Sequence, residues 1–169
     1  MDVYEAIEKR KSIRKFKDET VQDDIVTKIL LAGTQAPNAF NREPWEFIIV
    51  KDPYLRDMIA GMREKIPPQR TALETAPVLL VVCYNNELGT DALASTYACI
   101  ENMLLAATAE GLGAVTLTFH GKKLRALLDI PEYIEIASVI PMGYPDGDPI
   151  KPGRIPVDEK IYIDSFKTG

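Results

Sequence analysis

A chain of 169 residues with 46% hydrophobic and 27% charged residues has the material for one compact domain with a real core, and it lacks the bias of a disordered or fibrous sequence. Its formal charge of −5, from 20 Lys and Arg against 25 Asp and Glu, disfavours a nucleic-acid partner, because a phosphate backbone rewards a broad basic face. Apolar runs such as "VLLVVCY" are too short to span a bilayer and the N-terminus "MDVYEAIEKR" has no apolar secretion core, so the expectation is a cytoplasmic protein with no membrane partner.

Val3, Ala6, Ile7 and Arg10 follow helical spacing and predict a short amphipathic helix over 2–10. It runs into "KRKSIRKF" (9–16), where five of eight side chains are basic although the chain is acidic. Thr20 with Asp23 reads as the N-cap pair of a second helix whose apolar stripe is Val21, Ile25, Ile29 and Ala32, stopped at Pro37. "WEFIIVK" (45–51) predicts a strand, and Asp52 followed by Pro53 opens a third helix. "IPPQR" interrupts the pattern. "APVLLVVCY" (76–84) then has the length and continuous apolarity of a strand covered on both faces.

Residues 91–110 are apolar or small nearly all round, which predicts a helix buried on several sides and capped at Gly111. "GAVTLTF" (113–119) reads as a strand, "KKLRALLDI" as a short helix stopped by Pro131, and "IEIASVIPMGY" as a further buried strand. The Pro/Gly-rich tail closes with an apolar alternation around Ile161 and Ile163. No repeat or linker divides the chain, so residues 1–169 are expected to form one domain. Alternating helices and strands leave α/β and α+β layering both open.

Several chemistries lack their residues. Cys83 and Cys99 sit in apolar runs with no CxxC spacing, which points to buried free thiols. His120 is the only histidine, so no conventional His-based triad or multi-His metal site can be built. Neither G-x-G-x-x-G nor a P-loop occurs, and no paired carboxylates suggest a protein acid or base. The basic cluster suits a small anion; alternatively, Arg10 and Lys11 only complement the C-terminal dipole of the first helix.

In combination and order, "RKSIRKF" (10–16), "APNAFNREPWEF" (36–47), "GLGAVTLTF" (111–119), "GYP" (143–145) and Arg154 resemble the nitroreductase family of FMN-dependent oxidoreductases. The resemblance implies an α+β fold with a mixed, largely antiparallel central sheet flanked by helices, in an intertwined homodimer with the 91–110 helix near its interface. It implies that Arg10 and Lys11 bind the FMN phosphate, Ser12 the phosphate or ribityl chain, and Arg14 the pyrimidine edge, where a cation stabilises reduced flavin and raises its potential. Arg154, with Lys151 as a weaker candidate, adds to the phosphate site, and Gln69 touches the pyrimidine. Asn38, Ala39 and Asn41 reach the flavin bound by the other subunit, while Thr116, Leu117 and Thr118 lie at its reactive edge near N5. Glu43 stands where family members often have Gln, and an ionised carboxylate cannot donate the corresponding hydrogen bond.

The implied reaction is ping-pong: NADH or NADPH reduces the flavin and leaves, and a small electron-poor acceptor such as a nitroaromatic, a quinone or a free flavin takes the electrons. The short stretch between Met62 and Ala76 implies a small lid and an open site. Rival readings are a reductive dehalogenase or flavin-modifying enzyme on the same fold, or a non-catalytic FMN-binding or storage protein.

Overall fold

The computed structural model describes residues 1–119 and 121–166, so His120 lies outside the described residues. Helix α1 (Val3–Lys9) begins where the Asp2 carboxylate accepts from the N–H of Glu5, and α2 (Asp23–Thr34) follows an extended segment. Strand β1 (Trp45–Val50) leads to α3 (Pro53–Gly61), α4 (Pro67–Thr75) and β2 (Val78–Asn85). The long helix α5 (Ala92–Ala109), the two-residue strand β3 (Gly113–Ala114), α6 (Lys122–Leu127) and β4 (Ile134–Gly143) complete the domain.

The sheet order is β1-β2-β4-β3 and every ladder is antiparallel. A single parallel bridge, Ser12 with Ala114, attaches the basic segment to the β3 edge and supplies the mixed character. This is an α+β architecture, as the family resemblance implied.

Strand β2 is buried on both faces because its side chains alternate between two cores. Leu79, Val81 and Cys83 join Ile59, Leu73, Phe119 and Leu124 under α3, α4 and α6. Val78, Leu80 and Val82 join Val26, Ile29, Ile100 and Met103 under α2 and α5. Close approach of α2 to α5 depends on Gly33, where an added Cβ would fall 2.6 Å from the Met103 side chain. Trp45 is buried in the second core, as expected.

Asp52 caps α3 through the N–H of Leu55 with Pro53 at the first turn, as the sequence indicated. Three expectations are corrected. Thr20 is not the cap of α2: Gln22 holds that position without a side-chain bond, and Asp23 and Asp24 complement the helix dipole instead, so the buried stripe moves to Val26, Ile29 and Gly33. The "IPPQR" stretch does not break the chain but starts α4, because prolines at the first helical positions have no N–H that needs an intrahelical acceptor. Residues 113–119 are not one strand; the ladder stops at Ala114 and resumes only as an isolated bridge between Leu117 and Val139. The tail forms a 3₁₀ turn at Val157–Lys160.

Cys83 and Cys99 are buried free thiols. Burial pushes Cys83 from 9.0 to about 11 and Cys99 from 9.0 to about 12. The folded chain therefore keeps protons that the unfolded chain loses above about pH 9, so their contribution is complete below that pH and is lost as pH rises through the folded values. The melting temperature should fall above about pH 9. It should fall less steeply in Cys99→Ala, and equal slopes in the two proteins would count against this origin.

Candidate active site

The apolar residues within "KRKSIRKF" explain how so many cations can be held on one edge. Ile13 and Phe16 are both 4% exposed and turn into the core, leaving Arg14 and Lys15 outside. The Ile13 N–H donates to the Ala114 carbonyl at 3.1 Å and the Lys17 N–H to the Tyr144 carbonyl at 2.9 Å. The Phe16 N–H donates to the Thr75 hydroxyl at 3.2 Å. Contact with β3 is so close that a Cβ on Gly113 would lie 2.4 Å from Cγ1 of Ile13.

The C-terminal tail folds over this segment. The Lys151 ammonium donates to the carbonyls of Ile7 at 2.9 Å and Glu8 at 2.6 Å, at the end of α1. Lys11 pairs with Asp148, and Lys15 with Asp146 at 2.7 Å. The outcome is a cavity of about 200 Å³ lined by Arg10, Lys11, Ser12, Arg14, Lys151 and Arg154 together with Pro149, Ile150 and Pro152. No acid lines it. Arg10 reaches Glu101 only at 3.8 Å, and among the described residues Arg14 and Arg154 form no ion pair. Such a donor set, with a hydroxyl at its centre, suits a phosphate dianion.

An adjoining cavity of about 530 Å³ runs from Ser12–Lys15 to Asp146–Pro149 and is closed on one side by Pro68 and Thr71 of α4. Gln69 lies between them in sequence but lines neither basic cavity, and its buried Oε1 has no hydrogen-bond partner among the described residues. A buried acceptor without a donor is costly.

Leu117 turns its side chain into the core at 3% exposure, and its N–H donates to the Val139 carbonyl at 2.9 Å. Thr116 and Thr118 flank it and are exposed, and no backbone acceptor among the described residues takes their N–H groups. Thr118 lines a cavity of about 400 Å³ with Tyr84, Tyr97 and Arg125.

Asn38, Ala39 and Asn41 do not line the basic cavities of their own chain. They belong to a loop in which Phe40, Asn41 and Glu43 all have positive φ, at 54°, 53° and 47°, a strained conformation for non-glycine residues. The surroundings hold that strain. The Asn38 Oδ1 accepts from the Glu43 N–H at 2.8 Å, the Ala39 N–H donates to the Ser95 hydroxyl at 3.3 Å, and Arg42 donates to the Leu88 carbonyl at 2.6 Å. The loop therefore presents Phe40, 84% exposed, and Asn41 outward. Two features escaped the sequence reading: helix α4 as the carrier of Gln69, and Arg63, whose guanidinium lies 3.8 Å from the ring centroid of Phe119 and donates to the Thr118 carbonyl.

Among the described residues no cluster of His, Cys, Asp and Glu could hold a metal, and no helix is long and apolar enough to cross a membrane. Fold and site define an α+β domain with a cation-lined cavity at the edge of its sheet. The chain belongs to the nitroreductase family, whose sequence profile matches residues 7–144. A Methanothermobacter thermautotrophicus protein with the provisional name NADH dehydrogenase/NAD(P)H nitroreductase is 39% identical over 88% of this chain and 80% of its own length. An iodotyrosine deiodinase of Thermotoga neapolitana is 28% identical over 94% of this chain and 95% of its own. The solved structure of an FMN-dependent nitroreductase from Clostridium difficile superposes with a TM-score of 0.84 at 26% identity, over 95% of this chain and 98% of that one.

Proposed function

We propose that this protein is an FMN-dependent oxidoreductase that reduces a small electron-poor acceptor at the expense of NADH or NADPH, working as a homodimer. The observation that carries the reading is the acid-free, cation-lined cavity around Ser12, in which Arg14 and Arg154 have no protein anion among the described residues. The unpartnered Oε1 of Gln69, on the same helix as Pro68 and Thr71 of the adjoining cavity, is the acceptor that the resemblance assigns to the flavin pyrimidine. When bound, FMN would supply the two-electron redox chemistry that links the nicotinamide donor to the acceptor.

The chain's own residues bind and tune. Arg10, Lys11 and Arg154 neutralise the phosphate and Ser12 donates its hydroxyl. Arg14 places a fixed cation at the pyrimidine edge, which favours the reduced, negatively charged form and raises the potential. With the Leu117 N–H committed to the sheet, the N–H groups of Thr116 or Thr118 are the donors left for the reactive edge.

A second copy would complete the site with its Asn38–Asn41 loop. Support comes from apolar side chains that one chain leaves uncovered. Tyr4 on α1 is 81% exposed, Leu93 and Tyr97 open one side of α5, and the tail exposes Ile150, Ile163 and Phe166. Helix α5 buries eight residues against its own chain while Leu93 and Tyr97 stay exposed, and so much exposed apolar surface marks an interface. The deiodinase relative favours one second reading, reductive dehalogenation at the same site.

The test is the visible spectrum of the protein with FMN, before and after anaerobic NADH or NADPH, alongside its mass in solution. Bound flavin that bleaches, in a dimer, is the expected result. Flavin that stays oxidised would turn the reading to storage, absence of bound flavin would overturn it, and a flavin-loaded monomer would remove the shared site.

A further inference from the structure

Next to Thr118, whose carbonyl accepts from Arg63, the α3–α4 connection faces the start of α6 across a cleft of about 620 Å³. Arg63 and Lys65 line one wall and Lys122 and Lys123 the other, with Glu64 the only acid. None of these four cations forms an ion pair among the described residues, in a chain whose formal charge is −5. Four uncompensated cations around one concavity repel each other and focus a positive potential in it. Two further observations point to a ligand. The buried Nε of Arg63 has no acceptor among the described residues, while the same guanidinium stacks on Phe119 and donates to the Thr118 carbonyl. The cleft also has apolar wall at Met62 and Ile66.

We propose that this cleft is a subsite for an oxyanion carried by one of the exchanging substrates, either a carboxylate on an aromatic acceptor or a phosphate on the nicotinamide donor. The inference rests on the redox reading, since Thr118 is what makes the cleft adjacent to the reacting centre. Arg63 is its fixed floor, locked between Phe119 and the Thr118 carbonyl. Lys65, Lys122 and Lys123 are exposed and free to close on an anion. The apolar wall takes the uncharged body of the same molecule. An open cleft beside the flavin thereby sorts acceptors by charge without a dedicated lid.

The experiment compares wild type with the Lys122→Gln, Lys123→Gln double variant, both as FMN-loaded protein at low salt. Binding of para-nitrobenzoate and of nitrobenzene to the oxidised protein is measured by calorimetry, and turnover of each is measured with NADH and with NADPH. The expected result is a rise of about five- to ten-fold in both Kd and KM for para-nitrobenzoate, with kcat and nitrobenzene unchanged, the size set by two exposed charge contacts. The difference should shrink as salt is added. A loss confined to NADPH would also support the subsite and would identify its anion as the extra phosphate of the donor. Equal losses for the neutral and anionic acceptors, or no loss for any anion, would overturn it. Binding of para-nitrobenzoate through the two lysines in a protein that turns nothing over would support the subsite while removing the redox reading.

Discussion

Gly113→Ala is expected to strip the protein of most of its FMN affinity, although residue 113 does not line the basic cavities. Its Cβ would sit 2.4 Å from Cγ1, 2.6 Å from Cβ and 2.9 Å from Cγ2 of Ile13. Ile13 is branched and buried, so it cannot swing aside as a long flexible chain would. The strain must be relieved by lifting the segment away from β3, which breaks the bond from the Ile13 N–H to the Ala114 carbonyl and displaces Ser12 and Arg14 on either side. Overpacking of this kind costs about 1–3 kcal/mol. The melting temperature should drop by roughly 2–12 °C, and FMN binding should weaken by at least about tenfold.

The compensating variant separates this mechanism from general damage. Ile13→Ala alone opens a cavity and destabilises the fold. Combined with Gly113→Ala it removes the atoms that clash, so the double variant should lose less than the sum of the two and recover part of its FMN affinity. Unchanged melting and FMN affinity in Gly113→Ala would show that the contact does not position the basic segment.

What the sequence made legible follows from how local each cause is. Strand β2 was readable because burial on both faces demands an unbroken apolar run, and the start of α3 because Asp52 and Pro53 act on their own helix. Helix α4 was hidden because Pro67 and Pro68 carry opposite meanings at the start and in the middle of a helix, and only the packing of Ala72 and Leu73 decides between them. The basic segment was visible as charge, but its two apolar anchors gain their meaning only from Ala114 and Thr75. The resemblance offered Lys151 only as a weaker phosphate candidate; its hold on the backbone carbonyls of Ile7 and Glu8 was hidden, because no side-chain pattern encodes backbone acceptors. The cleft at Arg63 and Lys122 joins cations from two distant stretches, and spacing along the chain is silent on such a meeting.

The arrangement of Lys151 leads to the second large effect. Arg154→Gln removes one of the two arginines that would bracket the phosphate from opposite ends of the chain, and each charge-assisted bond of this type is worth about 1.5–3 kcal/mol, or roughly a ten- to hundredfold loss in FMN affinity. Arg10→Gln should cost less, because wild-type Arg10 is already shared with Glu101 at 3.8 Å. Arg14→Ala should differ in kind: a smaller loss of affinity, with a lower flavin potential and slower reduction by the nicotinamide donor. Lys151→Ala tests how Arg154 is held. Beyond the ties of Asp146 and Asp148 to Lys15 and Lys11, the Lys151 ammonium holds the tail to the two carbonyls of α1, so removing it should let Arg154 drift and weaken FMN nearly as much as Arg154→Gln does. Because both changes act on one contact, the double variant should be little worse than either single one. Additive losses, measured by fluorescence titration of FMN, would mean that Lys151 meets the phosphate itself and that the tail needs no clasp.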